Sequence, residues 1–346
     1  MVVLSRLPEQ LSDPRALTRG VLLVDKPAGW TAGDVVRAVR WALRGGGGGG
    51  GGGGGKGRAA RPPPSATVVA HAGALDRHAT GLVALCLGAE SAALLTPRCA
   101  SLERVYAGTI TLGVETATWD AWARDEGRGA RAAGGVAAAM AAVGAAAAAA
   151  AADSSSSLSS LPPPSAEVVD TMPWEHVTDE AIAAAAAALC GGRASAAAGS
   201  AVALVSGPPP ADGDRGLLLQ PAPRSGGKRA GRAAAWYEER GASAPAALPA
   251  RRVPVRELAV WRERGAVLGF RLAAGPGASP RALAHALGEA LGTCAHLSSL
   301  RREALGALSA ERAWPLDALL PALQAGRGGA LRAAARRRQS QEQRTR

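Results

Sequence analysis

Residues Gly45 to Gly55 are an unbroken run of eleven glycines, followed by an Arg- and Pro-rich stretch from Lys56 to Pro64. Glycine has no side chain to bury and loses the most backbone freedom on ordering, so this run cannot form a packed element. The fold must therefore be built from the patterned segments on either side, with residues 45–64 as a disordered surface insertion. Two further stretches read the same way. Residues 127–166 pass from Ala-rich sequence into Ser154–Ser157 and Pro162–Pro164, and residues 191–216 carry another triple proline. The chain has 346 residues, enough for one large domain or two modest ones. Only 3% are aromatic and much of the 47% apolar content is alanine, so the core is smaller than that figure suggests.

The segments between the insertions have clear periodicity. Gly20–Val24 is an apolar strand leading into Asp25-Lys26-Pro27, and Thr31 with Asp34 makes a capping-box-like start for a helix carrying Val35, Val39, Ala42 and Leu43. Gly81–Leu87 reads as a buried strand, and Val105–Gly113 alternates with Tyr106, Ile110 and Leu112 on one face. Thr178 opens a helix with Asp179 and Glu180 in its first turn, where the dipole favours acids. Val253–Trp261 and Val267–Leu272 form a strand pair around Arg264-Gly265. Ser279-Pro280 then opens a helix with Leu283, Leu287 and Leu291 on one stripe, ended by Gly292. Adjacent strands with interspersed helices predict an α+β fold with a mostly antiparallel central sheet.

Several classes are excluded. The four cysteines (Cys86, Cys99, Cys190, Cys294) are scattered without a C-x-x-C pair, against a disulfide framework or a Cys-based zinc site and in favour of a reducing compartment. The long uncharged stretch Ala132–Ala152 lacks the Leu, Ile and Phe that drive membrane insertion, and the first twenty residues contain Glu9 and Asp13 with no apolar core of a signal peptide. The net charge of +12 comes from 40 Lys and Arg against 28 Asp and Glu, and the last twenty residues hold seven arginines and one Glu. A basic tail of this kind is solvated and attracts nucleic acid or another polyanion.

The densest chemical candidate is His71-Ala72-Gly73-Ala74-Leu75-Asp76-Arg77-His78-Ala79-Thr80-Gly81, an acid between cations directly before a buried strand. A carboxylate so placed stays ionised and can act as nucleophile or base. Taken alone, a turn aspartate beside a strand is the plainer reading.

A set of motifs in fixed order changes that balance. Gly20–Thr31 resembles the opening motif of TruB-type tRNA pseudouridine synthases, and His71–Gly81 resembles their catalytic signature G-H-x-G-x-L-D-x-x-A-T-G. Arg104-Val105-Tyr106 is similar to their basic-x-Tyr motif and Gly113–Asp120 to G-x-x-T-x-T-x-D. Gln220–Gly231 resembles P-P-x-x-S-A-x-K-x-x-G through Pro221, Ser225, Lys228 and Gly231. Gly275–Arg281 resembles the helix entry G-x-Y-I-R, and Leu300-Arg301-Arg302 the closing L-R-R.

The resemblance implies a cofactor-free isomerisation of uridine to pseudouridine in RNA, with tRNA as partner and the T-loop uridine at position 55 as target. It implies a pseudouridine synthase domain over residues 20–306, between an N-terminal tail (1–19) and a C-terminal segment (307–346) that is helical and then basic and disordered. It assigns Asp76 as the catalytic carboxylate, Tyr106 as the ring stacked on the uracil, and Arg281 as the cation paired with Asp76. It assigns Leu300 to the uracil contact and His71 to the space vacated by the flipped base. Of the basic residues, Lys26, Arg77, Arg104, Lys228, Arg301 and Arg302 are candidates for phosphate contact. Core positions for Tyr106 and Leu300, a backbone-bonded His71 and solvated surface charges are the ordinary alternatives. His78 and His285 receive no role.

The chain departs from the family pattern at Ser279 (an aromatic in the family), Ala74 and Arg77 (Thr and Pro), Ala222 (Pro) and Gly226 (Ala). Only 44 residues follow Arg302, too few for the RNA-binding PUA domain of bacterial members, so the eukaryotic branch is expected. No metal, membrane or protein partner is expected, and a monomer in the cytoplasm, nucleus or an organelle is. Two other readings stay open: a guide-RNA-dependent synthase of the dyskerin kind, and a non-catalytic RNA-binding or RNA-folding helper.

Overall fold

The computed structural model describes residues 2–4, 16–44, 68–122, 164–190, 195–196, 202–206, 217–219, 228–229, 232–233 and 251–325. The insertion expected at 45–64, nearly all of that at 127–166 and the basic tail beyond 325 lie outside the described residues. The chain divides into two compact units, one of residues 1–100, 130–156 and 307–346, the other of residues 101–129 and 157–306.

In the first unit, β1 (Gly20–Lys26) is the apolar run seen in the sequence, with Val21 to Val24 fully buried. α1 (Ala32–Arg44) follows and buries Val35, Val39, Ala42 and Leu43. Its start is the predicted reciprocal cap: the Thr31 N–H donates to Asp34 Oδ2 at 2.8 Å and the Asp34 N–H to Thr31 Oγ1 at 3.1 Å. β2 (Val68–Ala72) and β1 both pair antiparallel with β3 (Thr80–Leu87), which sits between them. α2 (Ala89–Ser101) is not legible from periodicity. It buries only the stripe Ser91, Leu95 and Cys99, and Pro97, which reads as a breaker, lies inside it.

Residues 307–325 are part of this unit. Trp314 pairs parallel with Val24 of β1, and the helix at 316–325 buries Leu316, Leu319, Leu320 and Leu323.

The second unit is an antiparallel sheet. Its centre is β4 (Arg104–Leu112), with the short β5 (Val114–Thr116) paired to β6 (Val168–Thr171) just beyond it. α3 (Asp179–Cys190) begins at Thr178, whose Oγ1 accepts from the Ala181 N–H. The segment 191–216, expected to be irregular, contributes a strand to the sheet. β7 (Val202–Ser206) pairs antiparallel with β8 (Val255–Arg264), with Leu258 opposite Val205. β8 turns at Gly265 into β9 (Val267–Ala274), and β9 pairs with β4. α4 (Pro280–Ala290) then leads to β10 (Ala295–Leu305), which pairs with the other edge of β4. α3 packs on β7 and β8, and α4 on β10. Ile110, Leu112, Leu258, Val260, Leu268, Phe270 and Leu272 form the core between them.

The architecture is α+β. All four cysteines are buried free thiols, with burial pushing Cys86 up to about 11 and Cys190 up to about 12. Among the described residues no helix is long and apolar enough to cross a membrane.

Candidate active site

Asp76 lies on the loop between β2 and β3, exposed, while its neighbours Leu75 and Ala79 are buried. Burial of those two apolar side chains holds the loop down and leaves the carboxylate on its outer side. Arg77 ties the loop to the opening motif. Its Nη1 donates to the Gly29 carbonyl at 2.9 Å and lies 3.9 Å from Asp34 Oδ2. Burial alone would raise the Asp34 carboxyl, but the Thr31 hydrogen bonds and the Arg37 and Arg77 guanidiniums hold it below its ordinary value.

Lys26 is expected from the sequence at a phosphate; the structure corrects this. The side chain is 0% exposed, and its Nζ donates to the carbonyls of Pro27 (2.9 Å), Trp30 (2.6 Å) and Arg77 (2.8 Å). One ammonium thereby joins the two motifs: the turn after β1 and the loop that carries Asp76. A buried cation is tolerated because its protons meet carbonyl oxygens. His71 stands on β2 opposite Leu85, half-buried, with a buried Nδ1 that makes no hydrogen bond within the described structure. A backbone-bonded Nδ1 is thus not what is found.

In the second unit, Tyr106 and Leu300 come from neighbouring strands and are each 7% exposed. Tyr106 on β4 faces Leu272 of β9 and Arg302 of β10 in register, and Leu300 faces Gly108. A bulge lies between Leu297 and Ser299, where the hydroxyl of Thr109 meets those of Ser298 (3.0 Å) and Ser299 (2.8 Å). The strands approach so closely that a Cβ on Gly108 would lie 2.1 Å from the Ser299 carbonyl oxygen. Bulge and glycine together set the direction of Leu300.

Arg302, a second candidate for phosphate contact, is 1% exposed and so is not presented to solvent. Arg104 and Arg301 are half-buried, Arg104 with its Nη1 on the Leu102 carbonyl at 3.2 Å. Lys228 lies in a short strand with Arg229, its side chain outside the described residues.

Arg281 occupies the first turn of α4. Ser279, where the family has an aromatic, is the N-cap, its Oγ accepting from the Ala282 N–H at 3.3 Å. The guanidinium faces Asp120, with Nη1 3.4 Å from Oδ2. A cation in a first helical turn is opposed by the dipole, and this carboxylate compensates it.

Asp120 is the residue that sequence reasoning passed over. It is 8% exposed, and its Oδ1 accepts from Thr118 Oγ1 at 2.7 Å and the Trp122 N–H at 3.2 Å. Thr116 Oγ1 donates to the Asp120 carbonyl at 2.7 Å. The G-x-x-T-x-T-x-D spacing is therefore a device for orienting one carboxylate, and the two threonines before it were the available signal. His296 lies beside it, donating from Nδ1 to the Val114 carbonyl at 2.8 Å. Burial pushes this imidazole below its ordinary value, although the Val114 carbonyl and Asp120 act the other way.

The chain matches the model of the TruB family pseudouridylate synthase N-terminal domain over residues 64–134, a stretch holding Asp76, Tyr106 and Asp120. It is also 29% identical over 316 residues to tRNA pseudouridine synthase B of Burkholderia lata, covering 91% of this chain and 69% of that one. Residues 64–134, with the acid loop, β4 and Asp120, are thus similar to the TruB family of pseudouridylate synthases. A second TruB-family relative, tRNA pseudouridine synthase B of Leifsonia xyli subsp. xyli, is 39% identical over 101 residues, or 29% of this chain and 26% of that one. The chain is also 28% identical over 360 residues to the chloroplastic trans-splicing factor Raa2 of Chlamydomonas reinhardtii, covering 93% of this chain and 70% of the relative. Among solved structures, a Cbf5-Nop10-Gar1 complex contains a chain similar at 17% identity and a TM-score of 0.47, of which this chain spans 57%.

Proposed function

We propose that the protein isomerises uridine to pseudouridine in RNA, at the T-loop uridine (position 55) of tRNA, with residues 20–306 as the synthase domain. The observation that carries the reading is Asp76: an exposed carboxylate on a loop pinned by Leu75, Ala79, Arg77 and the buried Lys26. The reaction needs the C1′–N1 bond of the nucleoside broken, the base turned, a C1′–C5 bond formed, and the C5 proton moved away. Asp76 serves either as nucleophile toward the nucleoside or as base toward the sugar. Arg281 is its counter-ion, Tyr106 and Leu300 are the faces against the uracil, and the Tyr106 hydroxyl assists removal of the C5 proton. His71 enters the stack vacated by the base, whose flipping costs about a few kcal/mol. With Lys26 and Arg302 buried, Arg104 and Arg301 are the better candidates for phosphate contact. The protein works without a metal or cofactor, as a monomer, inside the cell or one of its organelles.

The test is purified protein with an unmodified tRNA transcript and no guide RNA. Pseudouridine at the T-loop position supports the reading. A second reading, an RNA-binding or RNA-folding helper, is favoured by one observation: a relative matched over 93% of this chain is named a trans-splicing factor. Tight binding with no product supports that reading instead, and product only with an added guide RNA supports the dyskerin-like one.

A further inference from the structure

Trp119 is the one non-glycine among the described residues with a positive φ, 59°. Side chains resist this left-handed conformation, so a bulky aromatic there must be held by its surroundings. The main chain is fixed on both sides of it: the Trp119 N–H donates to the Thr116 carbonyl and the Leu297 N–H to the Trp119 carbonyl, both at 3.0 Å. The indole stacks on the His285 imidazole, with ring centroids 4.0 Å apart and planes 6° from parallel. Glu115 grips both rings, its Oε1 accepting from Trp119 Nε1 at 2.9 Å and lying 3.4 Å from His285 Nδ1. Glu289, one turn further along α4, lies 3.6 Å from His285 Nε2.

The arrangement makes two rungs between one loop and one helix. Consecutive loop residues, Trp119 and Asp120, engage His285 and Arg281, which are four apart on α4 and so share a face. The buried Ala282, Leu283, Ala284 and Leu287 seat α4 on β10. The two rungs, one turn apart, hold its other side to the loop. The twisted backbone at Trp119 is what sends the indole to His285 while Asp120 turns to Arg281.

We infer that Trp119, His285 and Glu115 form a clamp that ties the start of α4 to this loop and so positions the Arg281 guanidinium; His285 is a positioning residue for the proposed isomerisation. The inference rests on that proposed reaction only for its kinetic readout.

The full chain supplies both tests. The first is the side-chain Nε–H signal of Arg281 in 15N NMR, assigned by its loss in Arg281→Lys. His285→Ala should move or broaden that signal, and His285→Phe, which keeps a ring to stack, should restore it. The second is turnover on an unmodified tRNA transcript. His285→Ala should lower kcat about tenfold with KM within about twofold, and His285→Phe should recover to within about threefold of wild type. An Arg281 signal identical in wild type and His285→Ala overturns the inference, as does an unchanged kcat in a wild type that turns over. If wild type forms no pseudouridine, the proposed reaction fails, and the Arg281 signal alone still decides the clamp.

Discussion

The Arg281 guanidinium and the Asp120 carboxylate, 161 residues apart in the chain, meet at 3.4 Å with both side chains mostly buried. Asp120 is oriented for this by Thr118 and the Trp122 N–H on its other oxygen. Asp120→Asn keeps the shape and removes one carboxylate charge that faces the guanidinium at the head of α4. Stability should fall by about 1–3 kcal/mol, measured by urea unfolding. On the proposed reading, in which Arg281 takes part in the reaction, pseudouridine formation should fall on the order of tenfold or more when that guanidinium is displaced. Wild-type stability and rate in the variant would remove Asp120 from the account.

Lys26→Met tests whether that cation serves the fold or the RNA. Three backbone carbonyls lose their donor, so thermal unfolding should report a loss of about 2–4 kcal/mol. Below its lowered melting temperature, the salt dependence of tRNA binding should keep the wild-type slope, because the ammonium meets no phosphate. A slope shallower by about one counterion, with stability unchanged, would restore Lys26 to the RNA surface.

The buried His296 gives a pH signature. Its folded-state pKa lies below the ordinary 6.5, so the unfolded chain takes up this proton first as the solution is acidified. The stability it supports is complete above 6.5 and declines as pH falls through its folded value, by at most about 1.4 kcal/mol per pH unit. Urea unfolding at pH 7, 6 and 5 should show this decline, and His296→Asn should flatten it. Asp34, also lowered, adds its loss only below its ordinary 3.8 and does not confuse the window. An identical slope in the variant would contradict the assignment.

Gly108→Ala places a methyl group against the Ser299 carbonyl, where the backbone rather than a flexible side chain must yield. The expected cost is about 1–3 kcal/mol by thermal unfolding. Because Leu300 is the next residue on the displaced strand, turnover should fall further than folding does. A variant as stable and active as wild type would show that the close approach has no bearing on the site.

What could be read in the sequence was what local chemistry encodes. The Thr31–Asp34 cap, the Ser279-Pro280 helix start and the apolar run of β1 all formed as expected, since each depends on neighbours a few residues away. α2 was hidden by Pro97 and by a buried stripe only three residues long. β7 was masked by the Gly and Pro around it, and β10 by bulges that break its alternation. The site shows the same division. Motif order singles out Asp76, Tyr106, Arg281 and Leu300 as candidates, but charge sends Lys26 and Arg302 to the surface, and the structure buries both. Lys26 is buried because the Arg77 carbonyl, 51 residues away, accepts its proton, and no local pattern announces that partner. Asp120 was quoted within a motif yet given no task, for its role exists only once α4 is packed beside it.

The central claim is that the exposed Asp76 carboxylate drives the isomerisation. The most direct measurement is single-turnover release of tritium from a tRNA transcript carrying uridine tritiated at C5, comparing wild type with Asp76→Asn. Loss of the C5 proton should accompany product in the wild type. The variant should show no release while binding the transcript within a few-fold. Equal release from both proteins, or none from a wild type that binds the transcript, would contradict the account.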